Sequence, residues 1–212
     1  MITASGRPAA PHPHPLVAYL GRVALLVFGL WVFALGVACT YRAHLGLSPW
    51  ECFHQGVNIH TGMSYGTASI LTGAVIVGLS FLLGVRPGLG TILNMVGIGS
   101  FLDWWYAIVP DLEHAGFAWQ LVMVVVGLLI LGIGSGLYIK ADLGAGPRDS
   151  LMLALTRRTG ARVSVIRAVV ELTALGLGFL LGGLVGLGTV IHALGVGPAV
   201  ELGFRVCRVR EA

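Results

Sequence analysis

Charge is what this sequence has least of. Only 10% of its 212 residues are Asp, Glu, Lys or Arg, against roughly 25% in a soluble domain. With 56% hydrophobic residues and a mean hydropathy of +0.89, the chain cannot cover itself with polar side chains, and lipid is its natural solvent. A nucleic-acid surface is excluded as well. The net charge of +4 comes from basic residues at the ends of apolar runs, not from a basic face with interleaved aromatics.

Cysteine is equally scarce. Cys39, Cys52 and Cys207 form no even disulfide set and have no metal-ligand spacing. Cys39 follows an apolar run, as in a lipoprotein signal. Five further apolar runs and a poor match before Cys39 argue against that origin. His12 and His14 are two ligands, too few to close a metal site. There is no nucleophile beside an orienting base, no metal cluster and no phosphate-cradling loop after a strand. The chain is therefore not expected to be an enzyme, nor to need a cofactor or a metal.

What the sequence does have is glycine, 32 residues of it, and long apolar runs. Small residues let helices approach closely in a bilayer. After an N-terminal tail, residues 1–15, rich in Pro, Ala and His and expected to be disordered, six runs read as membrane spans. They cover about Leu16–Tyr41, Ser64–Leu83, Thr91–Val109, Phe117–Ile139, Val163–Leu181 and Thr189–Phe204. Two polar stretches, Arg42–Gly62 and Lys140–Gly160, are too short and too polar to cross. Each opens a short helix with a proline, Pro49 or Pro147, and an acidic residue in its first turn, Glu51 or Asp149.

These stretches are copies of one another. Leu45-Gly-Leu-Ser-Pro-Trp-Glu51 returns 98 residues later as Leu143-Gly-Ala-Gly-Pro-Arg-Asp149. At that offset Gly29–Tyr106 aligns without a gap on Gly127–Phe204, with about 21 of 78 positions identical. Three spans per copy is an odd number, so the second copy starts from the opposite side of the bilayer. Counting basic residues agrees: with both termini cytoplasmic, the cytoplasmic segments hold about twelve for one, Arg42, outside. The expected fold class is thus an all-α membrane protein of six transmembrane helices in two inverted three-helix repeats, residues 16–110 and 111–206. Each repeat carries a short amphipathic or re-entrant helix after its first span, and residues 207–212 form a cytoplasmic tail.

The motifs Leu45–Glu51, Gly132-Ile-Gly-Ser-Gly-Leu-Tyr-Ile139 and Ala141–Asp149 resemble the YczE-like family of bacterial integral membrane proteins, related to the YitT-type proteins. The likeness covers nearly everything after the tail and departs at Glu51, where Asp is expected. It implies a bacterial plasma-membrane location and adds little about activity.

Candidate site residues follow from the short helices and from polar groups inside spans. Ser48, Pro49 and Glu51 in one copy, and Arg148 and Asp149 in the other, would line a central site if the short helices re-enter the membrane. If these helices lie flat at the interface, those residues serve only as caps. Arg167 and Glu171, four apart within a span, read either as solute ligands or as a structural ion pair. Asn94 and His192 stand at equivalent positions and read as solute contacts or as interhelical hydrogen bonds. Two functions fit. The favoured one is a small transporter or exporter of a small solute, with an anion held by Arg148 and the helix ends as the candidate. The alternative is a non-transporting membrane subunit or assembly partner, suggested by the glycine-lined face of Gly132, Gly134 and Gly136. Whether the chain forms a homodimer or binds a partner subunit in the bilayer is not legible from the sequence.

Overall fold

The computed structural model describes residues 15–144 and 146–209; the N-terminal tail lies outside them, apart from Pro15. These residues form eight α-helices: α1 (Pro15–Arg42), α2 (Pro49–Thr61), α3 (Tyr65–Leu82), α4 (Leu89–Tyr106), α5 (Phe117–Lys140), α6 (Pro147–Thr159), α7 (Val163–Leu180) and α8 (Leu187–Cys207). No strand occurs among the described residues. Five helices, α1, α3, α5, α7 and α8, are long and apolar enough to cross a membrane. The 18 residues of α4 match α3 and α7 in length. Asn94, Asp103 and the terminal Trp104-Trp105-Tyr106 keep α4 out of that set.

The repeat seen in the sequence extends to backbone detail. Both short helices have 13 residues, open on proline and close on a left-handed glycine, Gly62 at φ 68° and Gly160 at φ 69°. The loops before them turn at Gly46 (φ 117°) and Gly144 (φ 124°), a region that favours glycine. Each loop reaches into the other repeat. The Gly188 N–H donates to Leu45 O at 2.6 Å, and the Gly90 N–H donates to Leu143 O at 2.8 Å. A Cβ at Gly186 would lie 2.5 Å from Leu45 O, and one at Gly90 would lie 2.7 Å from Leu143 O, so both approaches require glycine.

The centre is a packed quartet of helices. α1 runs along α5, with α4 against α1 and α8 against α5. Glycine makes these contacts close: a Cβ on Gly36 would sit 2.5 Å from Leu131 N and 2.6 Å from Gly127 O. Gly132 and Gly136 face the α8 backbone at Ala199 and Gly203, and Gly134 faces Phe33 of α1. The glycine face of α5 is thus consumed inside the chain. Replacing Gly203 with alanine would drive a methyl into the Gly132 carbonyl, and overpacking of this kind costs about 1–3 kcal/mol. Gly176 of α7, with nothing within 4 Å, is the control: alanine there is expected to be neutral or to stabilise by up to about 1 kcal/mol. Thermal melts of the two detergent-solubilised variants check this, and a melt unchanged by Gly203→Ala would contradict the packing.

The loop between α4 and α5 is held by one carboxylate. Asp111 takes Arg42 at 2.5 Å and His44 at 2.9 Å, and the Leu112 N–H donates to Arg42 O at 2.9 Å. Burial is the largest single influence and pushes the Asp111 carboxyl up, but the Glu113 N–H, Arg42 and His44 together outweigh it and hold it below the usual carboxylate range. A lowered carboxyl stabilises the fold above its unfolded value, and that contribution is lost as pH falls through the lowered one. Asp111→Asn should flatten the acid limb of a melting-temperature profile; an unchanged limb would remove Asp111 from that role.

Candidate functional site

α2 and α6 decide where the polar residues go. α2 packs on α7 and α6 packs on α3, so each short helix is braced by the other repeat. Their N-terminal ends open onto one cavity of about 470 Å³, within the usual size of a small-molecule pocket. All nine residues singled out from the sequence line it: Ser48, Pro49 and Glu51 from α2 and its cap, Asn94 from α4, Arg148 and Asp149 from α6, Arg167 and Glu171 from α7, and His192 from α8.

Within it the charges are ordered. The Ser48 hydroxyl accepts the Glu51 N–H at 3.5 Å, and Glu51 in turn offsets the positive end of α2. The Glu51 side chain is only 8% exposed and takes Arg148 of the other repeat at 3.4 Å. The Arg148 guanidinium also lies 4.9 Å from the centroid of the Trp50 ring, a cation–π geometry. Arg167 and Glu171 pair along α7 at 3.1 Å. Asp149 lines the cavity with no Arg, Lys or His nitrogen within 4.0 Å among the described residues. Asn94 is buried against Gly146, where a Cβ would lie 3.5 Å from its Oδ1.

Of the wall residues not singled out from the sequence, two bear on its chemistry. Trp50 is a buried aromatic side chain of α2, and only the arrival of Arg148 from α6 makes it part of a polar site. His54 is 2% exposed, lines the cavity, and has no hydrogen-bond partner on either ring nitrogen among the described residues. Its signal was available: it stands three residues after Glu51, on the same face of a helix whose start carries the site.

The cavity is flanked by two equivalent helix pairs that are not in the same state. α3 packs along α4, whereas α7 and α8 barely touch. At the α3–α4 seam, Asp103 accepts the Ser64 hydroxyl at 2.6 Å and the Gly66 N–H at 2.8 Å. A Cβ on Gly73 would lie 2.7 Å from the Met95 side chain. Behind this seam the rings of Tyr41, Tyr65 and Tyr106 pack at 4.8–5.2 Å from one another, with His54 edge-on to Tyr65 at 5.6 Å. At the α7–α8 seam the counterpart of Asp103 is Glu201, which pairs with Arg205 on its own helix. Gly197, the counterpart of Gly99, has nothing within 4 Å. Ile139 and Phe204, at the positions of Tyr41 and Tyr106, line the cavity, which those two tyrosines do not.

Among the described residues helices alone surround a charged central cavity, and five of them are suited to lipid, which marks a membrane protein. The chain belongs to the family described as a family of unknown function, DUF6198, whose pattern matches residues 20–204. It is similar to the uncharacterized membrane protein YczE of Bacillus subtilis, 40% identical over 168 residues that cover 78% of this chain and 77% of that one. An uncharacterized protein of Haemophilus influenzae is 36% identical over 179 residues, covering 84% of this chain and 81% of its own. The uncharacterized protein YyaS of Bacillus subtilis is 24% identical over 167 residues, 77% and 82% of the two chains. No solved structure matches.

Proposed function

We propose that this chain is a small-solute transporter of the bacterial plasma membrane, built from two inverted three-helix repeats that rock against each other. In this reading α4 is the sixth span, its polar residues turned to neighbours: Asn94 to the cavity and Asp103 to the start of α3. Both termini are cytoplasmic, as the distribution of basic residues argues. The observation that carries the proposal is the inequality of the two seams around one shared cavity. Inversion puts the α3–α4 seam at the outer face and the α7–α8 seam at the inner face. The described conformation is then closed outside and parted inside, one of the two states that alternating access requires.

The non-transporting alternative loses its main support, because Gly132, Gly134 and Gly136 already pack inside the chain. The test is sidedness together with flux. Single cysteines at Asn58 and Arg157, in a background without the native cysteines, are labelled with a membrane-impermeant maleimide in intact cells and in inverted vesicles. Labelling from opposite sides is expected, and labelling from one side would end the inverted arrangement. Counterflow in proteoliposomes of the purified protein is expected with a mixed pool of small amines and acids. Its absence, with a second subunit co-purifying stably, would favour the alternative.

A further inference from the structure

The sign of charge in the cavity points to what it holds. Its lining has three carboxylates, Glu51, Asp149 and Glu171, and two guanidiniums, Arg148 and Arg167. Each guanidinium is already matched to a carboxylate, at 3.4 Å and 3.1 Å. The starts of α2 and α6, which would otherwise draw an anion, face acidic residues of their own first turns. An incoming anion would therefore meet satisfied cations and an unmatched carboxylate. An incoming cation would meet Asp149, which has no cationic nitrogen within 4.0 Å among the described residues and feels Arg167 and Arg148 only from further off. The cavity wall also shows what a bound cation looks like. Arg148 lies over the Trp50 ring and against the buried Glu51 carboxylate, so ring and carboxylate already hold a guanidinium supplied by the chain. One turn further along α2 stands His54, 98% buried and unpartnered at both nitrogens. Both nitrogens lie buried in the wall, and a neutral imidazole has one N–H and one acceptor to offer a group that reaches it.

We propose, resting on the transport reading above, that the cavity binds a small organic cation, an amine or a guanidine. Its charged group is drawn to Asp149 and competes with Arg148 for Glu51 and the face of Trp50, while its body lies against Phe33, Tyr138 and Phe204. Arg148 is then a tethered stand-in that occupies the cation site when no solute is present.

The test is equilibrium binding to the full chain in detergent, by isothermal titration and thermal shift. The probes are butylguanidinium and butylammonium, with butyrate as the anion of matched shape. Saturable binding of at least one cation, and none of butyrate, is expected. Asp149→Asn should weaken the cation about tenfold or more, the factor lost with one charge-assisted contact, and Asp149→Glu should restore part of it. Trp50→Phe should weaken binding less than Trp50→Leu, a contrast that a merely space-filling tryptophan would not give. Saturable butyrate binding, binding of no probe, or cation affinity unmoved by Asp149→Asn would each overturn the proposal. Cation binding without any flux would sink the transport reading and leave this one standing; flux of an anion alone would do the reverse.

Discussion

Arg148→Ala should be the most damaging single substitution at the cavity, for a reason that distinguishes it from every other arginine in the chain. Removing the guanidinium leaves the Glu51 carboxylate, 8% exposed, without its cation. Breaking a fully buried pair in this way costs about 3–5 kcal/mol. Arg148 keeps 35% of its side-chain surface exposed, so the loss should fall at or below the lower end of that range, still enough to move a melting temperature by several degrees. The counterpart experiment is Glu51→Gln. Glutamine keeps the shape and the acceptor while removing the charge, so Glu51→Gln combined with Arg148→Ala should be more stable than Arg148→Ala alone. Transport should be lost in Arg148→Ala and in the double variant alike, because both leave the cavity without a competitor for the solute charge. Arg157→Ala, at the far end of α6 and outside the cavity, should leave both stability and flux nearly unchanged. Equal, mild effects at positions 148 and 157 would reduce Arg148 to a residue that only sets topology. Melting curves and counterflow on the same preparations measure both.

Much of this site could be read from the chain because its polar residues are costly where they stand. Arg167, Glu171, Asn94 and His192 interrupt apolar runs, and a lipid-suited helix carries such residues at a cost unless they face something polar. The prolines and first-turn acids of α2 and α6 gave their start points to the residue, since capping is a local matter. Helix ends were less legible where no cap declares them. α4 stops at Tyr106 and not Val109, and α8 continues past Phe204 to Cys207, where Lys140 donates to the Cys207 carbonyl at 2.7 Å. What stayed hidden was relational. Nothing near Glu51 in the sequence announces Arg148, 97 residues away, nor that Trp50 receives it. The two seams share an alignment, yet they differ in the side chains that meet there. Where Gly73 admits Met95, the other repeat has Glu171 opposite Ala193. Small and large residues are thus exchanged between the two helices, with a charge added.

That reversal makes the second large effect a matter of which seam is fixed. If the two repeats rock, covalent closure of either seam should abolish counterflow, and the two closures should exclude each other. Cysteines at Ser64 and Asp103, whose side chains meet at 2.6 Å, should cross-link readily in the resting protein and hold the outer seam shut. Cysteines at the equivalent positions, Arg162 and Glu201, lie on the parted seam. They should cross-link slowly, because the disulfide needs Cα atoms within about 7 Å of each other, and only when α8 swings toward the start of α7. In that swing Glu201 would leave Arg205 and cap α7 as Asp103 caps α3 through the Gly66 N–H. Conversely, Glu201→Gln should slow the exchange without emptying the cavity, since Glu201 does not line it. A chain carrying all four cysteines should trap one disulfide or the other, never both, and reduction should restore flux in each case. Recovery of both disulfides in one molecule, or full counterflow with the outer pair locked, would mean that the two seams do not alternate. The difference between them would then be a fixed feature of a chain with some other task.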